Sequence, residues 1–213
     1  MSLSSRWSAE TRKLLTLAGP LIVNNLAIAG MQAADAMMAG RLGAETLAAV
    51  AVGGSVWFFM FTVVLGIMLA ISPIAARYYG AGEEALIGRY TRQGVYLAIA
   101  LSIPLIFLVS TQIDAVLKFL SIDPGFRAET ADYVRIVVLG APAIFIFLAF
   151  RFTTEGLGRT RPIMYTSILA FFCNVFLNWV FIFGNLGAPA MGSAGAAVAS
   201  AITMWLLMFA LVG

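Results

Sequence analysis

Residues 47–76 read LAAVAVGGSVWFFMFTVVLGIMLAISPIAA, a stretch of 30 residues that contains no charged side chain. A helix needs about 20 mostly apolar residues to cross the hydrocarbon core of a bilayer, so this stretch is long enough to span it. A helix also satisfies its own backbone hydrogen bonds in lipid, where no water is present to do so. The stretch therefore predicts a membrane-spanning α-helix.

Similar stretches recur along the chain of 213 residues, of which 62% are hydrophobic and 11% are charged. An ordinary soluble domain carries roughly 25% charged residues, so the composition excludes that class. The six predicted spans cover about residues 14–40, 47–76, 93–111, 133–150, 162–183 and 193–213. The segments lack the alternating pattern of a membrane β-barrel. We expect an all-α integral membrane protein in which residues 1–213 form a single six-helix transmembrane bundle.

The chain contains no histidine and a single cysteine, Cys173. Without imidazole there is no Ser-His pair and no histidine ligand for a metal, and one cysteine cannot form an internal disulfide. In a membrane protein, a net charge of +3 bears on the orientation of the chain in the bilayer and does not indicate nucleic-acid binding. We therefore expect no enzyme, no cofactor and no nucleic-acid partner.

The cations are distributed unevenly between the two sides of the predicted bundle. Nine of the thirteen fall in the N-terminal tail and in the second and fourth connections: Arg6, Arg12, Lys13, Arg77, Arg89, Arg92, Arg151, Arg159 and Arg161. The other four are Arg41, Lys118, Arg127 and Arg135. Because cytoplasmic loops carry the excess of Lys and Arg, we expect a multi-pass protein of the inner (plasma) membrane with a cytoplasmic N-terminus.

Polar side chains inside the spans mark the candidate site. Asp35 is the one acidic residue well inside a predicted span, about 8 Å below the outer end of the first helix. Asn174 and Asn178 lie one turn apart on the fifth span at a similar depth, and Ser200 of the sixth span is about 10 Å below its outer end. Four oxygen-bearing side chains from three helices can therefore share one pocket in the outer half.

The first span carries a polar stripe below Asp35. Asn24, Met31 and Gln32 fall within about a third of the helix circumference that Asp35 occupies, and we expect them to line a substrate cavity. Pro20 predicts a bend further down the same helix. The stripe predicts that this helix faces protein or an aqueous cavity rather than lipid.

A single carboxylate among neutral oxygen neighbours has two chemistries. It can exchange a proton, or it can join the amide oxygens of Asn174 and Asn178 in binding a hard cation such as sodium. The residues alone leave both open. They also leave open a structural interpretation, in which the asparagines only join helices by hydrogen bonds and Asp35 reaches the outer headgroups.

Two other segments carry a helical pattern. Residues 192–200 are almost all small, so the sixth helix is expected to approach a neighbour closely. In the third connection Ile113, Val116, Leu117 and Leu120 share one face, which predicts a short amphipathic helix along the outer membrane surface.

Several short motifs, taken together and in order, resemble the multidrug and toxic compound extrusion (MATE) transporters, specifically their NorM-type branch. The motifs are Ala33–Gly40, Gly80–Gly82, Glu155–Pro162, Asn174–Trp179, Gly187–Pro189 and Gly192–Gly195. Each motif alone is weak, but their order and spacing match over nearly the whole chain. The resemblance implies the N-terminal lobe of a twelve-helix transporter, whose second six-helix lobe would be a partner.

The resemblance also implies an activity. Such a protein is an antiporter that exports organic cations and amphipathic drugs by alternating access, driven by protons or sodium ions. By the same likeness Asp35 is the coupling residue, Asn174 and Asn178 are its partners, Ser200 supplies a small hydroxyl, and Pro20 is the hinge of the first helix. The rival functions are a flippase for lipid-linked oligosaccharides from the same superfamily and a membrane scaffold that transports nothing.

Overall fold

A computed structural model describes the backbone of residues 3–212 and the side chains of residues 18–212. The cations Arg6, Arg12 and Lys13, which entered the orientation prediction, lie outside the described side chains. Within residues 3–212 the secondary structure is entirely helical, with eight α-helices and two single-turn 3₁₀ helices. The prediction of an all-α protein is therefore confirmed.

The α-helices follow one another with short connections. They are α1 (Leu3–Gly40), α2 (Ala44–Met68), α3 (Ile71–Gly80), α4 (Glu84–Phe119), α5 (Pro124–Val137), α6 (Ala141–Gly156), α7 (Arg161–Phe183) and α8 (Ser193–Val212). The 3₁₀ turns are Val138–Gly140, between α5 and α6, and Asn185–Gly187, between α7 and α8. Gly184 ends α7 in the left-handed conformation, with a φ of 75° that glycine adopts without strain.

The eight helices make six spanning units, because two of the units are broken. The pairs α2–α3 and α5–α6 each continue in one direction across a short break. In the described part of the chain, five units are long and apolar enough to cross a membrane, namely Ala44–Gly80, Glu84–Phe119, Pro124–Gly156, Arg161–Phe183 and Ser193–Val212. Helix α1, at 38 residues, is the sixth unit. The six-helix fold stands, while the borders of the bilayer along these helices stay a prediction.

The α5–α6 unit forms the centre of the bundle. In its most apolar window 61% of the residues are buried, against 22% in the unit made by α2 and α3. Phe145 of α6 is fully buried and stacks on Trp57 of α2, with ring centroids 6.5 Å apart. Because α6 packs against α3, α4 and α8, the outer helices are held in place around it.

The small residues at the start of α8 allow the close approach that the sequence predicts. A Cβ added to Gly195 would collide with the backbone carbonyl group of Phe181 in α7. The backbones of α7 and α8 therefore touch here, with no side chain between them. This contact fixes the position of α8 next to the helix that carries Asn174 and Asn178.

The prediction of a separate amphipathic helix in the third connection is wrong. Residues 113–119 are the last two turns of α4, which continues without a break from the preceding span. Ile113 and Leu117 are buried against the bundle, while Val116 and Leu120 are exposed. The apolar face therefore packs on protein, and the same spacing that favours a surface helix also describes the end of a long one.

Candidate functional site

Helices α1 and α7 run parallel and bring the predicted acid and amides together. The Asn178 side-chain amide donates one hydrogen bond to the Asp35 carboxylate (2.5 Å) and another to the amide oxygen of Asn174 (3.1 Å). Asn178 and Asn174 are 0% and 2% exposed, and Asp35 is half-buried. Asn178 is therefore the link that joins the carboxylate to the second amide.

The Asn178 side chain is only partly satisfied. Its nitrogen makes both hydrogen bonds, whereas its oxygen, Oδ1, is buried with no hydrogen-bond partner among the described residues. A buried acceptor without a partner costs about 1–3 kcal/mol, so such atoms are rare in folded proteins. The oxygen is an acceptor available to a proton donor or to a cation.

A cavity of about 440 Å³ opens beside Asp35 between α1, α2 and α5. Its lining residues are Gln32, Asp35, Ala36, Val50, Ala51, Gly54, Ser55, Phe58 and Tyr133. This lining contains a carboxylate and neutral side chains, with no lysine or arginine. By charge, such a cavity favours a cation over an anion.

Tyr133 is a site residue that the sequence reasoning missed. It comes from α5, is 4% exposed, and lines the same cavity as Asp35. Its ring packs against α2, where a Cβ on Gly53 would approach the ring carbon Cδ1 to 2.6 Å. The adjacent glycines Gly53 and Gly54 were the available signal, because two glycines inside a span indicate a close approach.

Ser200 joins the site indirectly. Its side chain lies near that of Tyr133, and Tyr133 lines the same cavity as Asp35. Ser200 is half-buried on α8. The four polar groups expected from the sequence therefore lie in one region, with a tyrosine between the serine and the acid.

The residues predicted for the substrate cavity have different positions. Gln32 lines the cavity, whereas Met31 packs against the hydrophobic core and Asn24 is buried between α1 and α7, at 1% exposure. Asn24 is hydrogen-bonded to Ser167 of α7. Of the three, only Gln32 is among the residues that form this cavity in the described part of the chain.

Pro20 lies inside α1, which continues as a helix on both sides of it, from Leu3 to Gly40. Proline removes one helical hydrogen bond and weakens the helix locally. The prediction that Pro20 is a hinge stays untested, because a helix that continues through a proline is compatible with a bend or with none.

Residues 18–212 contain no cluster of three or more His, Cys, Asp or Glu side chains that are close enough together to bind a metal ion. A transition-metal centre would need such a group. A sodium ion would instead use one carboxylate and neutral oxygens, and Asp35, Asn174 and Asn178 are of that kind. The unpartnered Asn178 oxygen fits this second class of ligand.

The comparisons with known proteins identify the family. The family model named MatE matches residues 20–180. The NorM multidrug resistance protein of Vibrio vulnificus is 34% identical over 206 residues, covering 97% of this chain and 45% of the relative. The NorM protein of Aliivibrio fischeri is 36% identical over 202 residues, with 95% and 44% covered. The chain thus spans less than half the length of these curated relatives.

Solved structures show the same fold. The eukaryotic MATE transporter AtDTX14 superposes with a TM-score of 0.87 at 24% identity, over 96% of this chain and 45% of the other. A MOP superfamily transporter from Pyrococcus furiosus gives a TM-score of 0.83 at 21% identity, over 92% and 43%. With a family model over most of its length and this arrangement of helices, the chain belongs to the MatE family of transporters.

Proposed function

We propose that the chain works as the N-terminal half of a cation-coupled antiporter that exports organic cations and amphipathic drugs by alternating access. The observation that carries the proposal is the Asp35 carboxylate, held by the buried Asn178 amide at the edge of a cavity. A carboxylate at this depth is costly unless it has a function or a partner. The name of the NorM relatives, multidrug resistance protein, agrees with an export role.

The coupling ion is a proton or a sodium ion. Either one would neutralise Asp35 and give the unpartnered Asn178 oxygen a donor or a cation to contact. One elementary charge that crosses 100 mV of membrane potential carries about 2.3 kcal/mol. The membrane gradient can therefore drive a change at this site.

The class of cargo follows from the charge of the cavity. Asp35 and Gln32 give it a polar side, and Phe58 and Val50 give it an apolar one. A flat organic cation such as ethidium matches both sides. A flippase for lipid-linked oligosaccharides would need cations to hold phosphate, and the residues that line this cavity include none.

The setting of the protein is part of the proposal. We place it in the inner membrane with a cytoplasmic N-terminus, because nine of its thirteen cations lie on that side of the predicted topology. A second six-helix lobe would complete the transport path, since the curated relatives are about twice as long as this chain.

The test replaces Asp35 by asparagine in the transporter that contains this chain. Asp35→Asn keeps the shape of the side chain and removes its charge, so the protein should insert normally but lose ethidium export. Asp132→Asn is the matched control, because Asp132 is an exposed acid whose only described ion pair is a 3.4 Å contact with Arg135. Export measured in cells and in vesicles with an imposed proton or sodium gradient gives the result. Unchanged export by Asp35→Asn would contradict the role of this residue.

A further inference from the structure

Two amide side chains of α1 are exposed on one face of the helix. Asn25 and Gln32 are both exposed and are seven residues apart. Seven residues make about two helical turns, so the two amides share a face and lie roughly 10 Å apart along the axis of α1. Gln32 lines the cavity beside Asp35. Asn25 therefore lies beyond this cavity, toward the N-terminal end of α1.

Helix α2 repeats this spacing with two hydroxyl groups. Ser55 and Thr62 are exposed and are also seven residues apart. The Ser55 hydroxyl donates to the carbonyl oxygen of Ala51 (2.8 Å). The Thr62 hydroxyl donates in the same way to the carbonyl oxygen of Phe58 (2.7 Å). A hydroxyl that has given its proton to its own helix still offers lone pairs, so both side chains present hydrogen-bond acceptors on the exposed face.

The amides and the hydroxyls match in depth, because α1 and α2 are antiparallel neighbours. Residues 41–43 alone connect the two helices, and Gln32 and Ser55 line the same cavity. A step of seven residues away from them, backward along α1 and forward along α2, leads to Asn25 and Thr62. We call Gln32 and Ser55 the outer pair, and Asn25 and Thr62 the inner pair. Each pair combines one amide with one hydroxyl.

The Asn25 amide uses only one of its two hydrogen-bonding groups. Its oxygen accepts a hydrogen bond from the Asn24 side chain (3.2 Å), whereas its nitrogen donates none within residues 18–212. Asn25 is about 22 Å from the end of α1 at Gly40, a distance shorter than the hydrocarbon core of about 30 Å. An unpaired amide N–H is costly against lipid. This face of α1 is therefore expected to meet water, protein or cargo rather than acyl chains.

An aromatic side chain lies between the two pairs. Phe58 follows Ser55 by three residues and precedes Thr62 by four, so it shares their face of α2. Phe58 lines the cavity and is 56% exposed. At the matching level of α1, the exposed residue is the small Ala29. The two helices thus present a polar pair at each end and an accessible ring between the pairs.

We propose that the inner pair, Asn25 and Thr62, is a second cargo subsite that binds one end of a flat organic cation while its other end lies at the outer pair. The inference rests on the proposed function, because it takes such cations to be the cargo. Thr62 Oγ1 accepts a hydrogen bond from an N–H group of the cargo, and the Asn25 amide nitrogen supplies a donor. The Phe58 ring packs on the flat part between them. A flat cation about 10 Å long with a hydrogen-bond donor at each end spans both pairs.

The test compares two cargo molecules in the transporter that contains this chain, reconstituted in lipid vesicles. Ethidium is flat and has an aromatic amine at each end, whereas tetraphenylphosphonium is a compact cation with no hydrogen-bond donor. Thr62→Val keeps the shape of the side chain and removes its hydroxyl, so the KM for ethidium should rise about two- to ten-fold, as expected for the loss of one hydrogen bond. The KM for tetraphenylphosphonium and the maximal transport rates should stay unchanged. Thr62→Ser, which keeps the hydroxyl, should restore the native KM for ethidium.

Thr111→Val is the matched control for Thr62→Val. The Thr111 hydroxyl also donates to the carbonyl oxygen four residues earlier, that of Phe107 (2.9 Å), and Thr111 is exposed on α4 without lining the cavity. This variant should keep both KM values native. Thr62 rather than Asn25 carries the test, because loss of Asn25 would also take the acceptor from the buried Asn24 amide.

The outcomes distinguish the subsite from the proposed function. If Thr62→Val leaves the KM for ethidium native, as it would where a second lobe covers this face, the subsite is overturned. An equal rise of KM for both cargo molecules also overturns it, because a general disturbance of the cavity would act on both. Asp35→Asn should abolish export of both molecules. If Asp35→Asn exports both normally, the proposed function fails, whatever the KM values of Thr62→Val.

Discussion

The side-chain nitrogen of Asn178 donates hydrogen bonds to two acceptors. Replacing Asn178 should therefore remove both hydrogen bonds. Asn178→Ala leaves the Asp35 carboxylate and the buried Asn174 oxygen without their donor. We expect a loss of about 1–3 kcal/mol in stability, because a buried polar group without its partner is expensive, together with weaker ethidium export. Thermal unfolding in detergent and an export assay measure the two effects.

Asn185→Ala is the control for this prediction. The Asn185 amide donates to the Trp179 carbonyl group (2.8 Å) in an exposed position, where water can replace it. Its loss should change stability by less than about 1 kcal/mol and leave export intact. Equal effects of the two substitutions would contradict the special position of Asn178.

Tyr133 gives a second prediction, since its ring and its hydroxyl do different things. Tyr133→Phe keeps the ring that packs on Gly53 and removes the hydroxyl group, which lies near Ser200 at the cavity that Asp35 lines. We expect normal folding, reduced export, and a stability loss of about 1 kcal/mol. Tyr96→Phe is the control, because Tyr96 is 63% exposed on the outer surface of α4. A Tyr133→Phe protein that exports ethidium normally would remove Tyr133 from the site.

Among single residues, the sequence predicted the groups that carry charge or amides inside a span. Asp35, Asn174 and Asn178 stand out because a polar group in lipid is costly and must have a partner. Tyr133 does not stand out, since a tyrosine near the end of a span is common at membrane interfaces. Its role depends on a long-range contact with Gly53; the glycine pair indicates a close approach at this point but not which side chain makes it.

The contact between α7 and α8 depends on the absence of a side chain at Gly195. Gly195→Ala places a methyl group against the backbone of Phe181, which cannot move aside as a flexible side chain can. We expect a loss of about 1–3 kcal/mol, as for other overpacked sites. Thermal unfolding in detergent should show it as a lower midpoint.

Gly66→Ala is the matched control for Gly195→Ala. Gly66 also lies inside a helix, but a Cβ added there meets nothing within 4 Å. Alanine in a helix interior is better than glycine by about 0.5–1 kcal/mol, so this variant should be slightly more stable than the native protein. A loss of stability at Gly66 equal to that at Gly195 would contradict the packing argument.

For whole helices, periodicity predicted where apolar segments lie but not how they divide. It gave one span for residues 47–76 and one for 133–150, whereas both units are broken in two. It also separated residues 113–119 from a helix that continues through them. Hydropathy indicates whether a segment lies in lipid or in water. A helix that breaks, or continues, within the same surroundings keeps nearly the same hydropathy, so the pattern does not show the break.

The topology of the whole molecule can be tested by labelling single cysteines from outside the cell. In a Cys173→Ala background, Ala81→Cys lies between α3 and α4 and Leu120→Cys lies just after α4, so the two are at opposite ends of one long helix. With a cytoplasmic N-terminus, a membrane-impermeant maleimide should label position 120 in intact cells and position 81 only after lysis. The reverse pattern would invert the orientation.

At the level of the complete bundle, composition was enough to fix the class of protein. The six spanning units follow from the number of long apolar stretches, since each has to cross the same thickness of hydrocarbon. The order in which these units pack around α6 could not be predicted, because helices in lipid choose neighbours by close packing and by interhelical hydrogen bonds rather than by hydrophobicity.

The number of residues that connect α2 to α3 is constrained by the packing of α3. Ala75 of α3 packs against α6 where Gly156 leaves room, and Ile71 of α3 fills the space beside Gly94 of α4. One residue inserted at positions 69–70 would turn α3 by about 100° and advance it by about 1.5 Å, so both side chains would leave their recesses. Insertions and deletions should therefore be rejected at this short connector, although elsewhere a loop between helices is where they are most easily accepted.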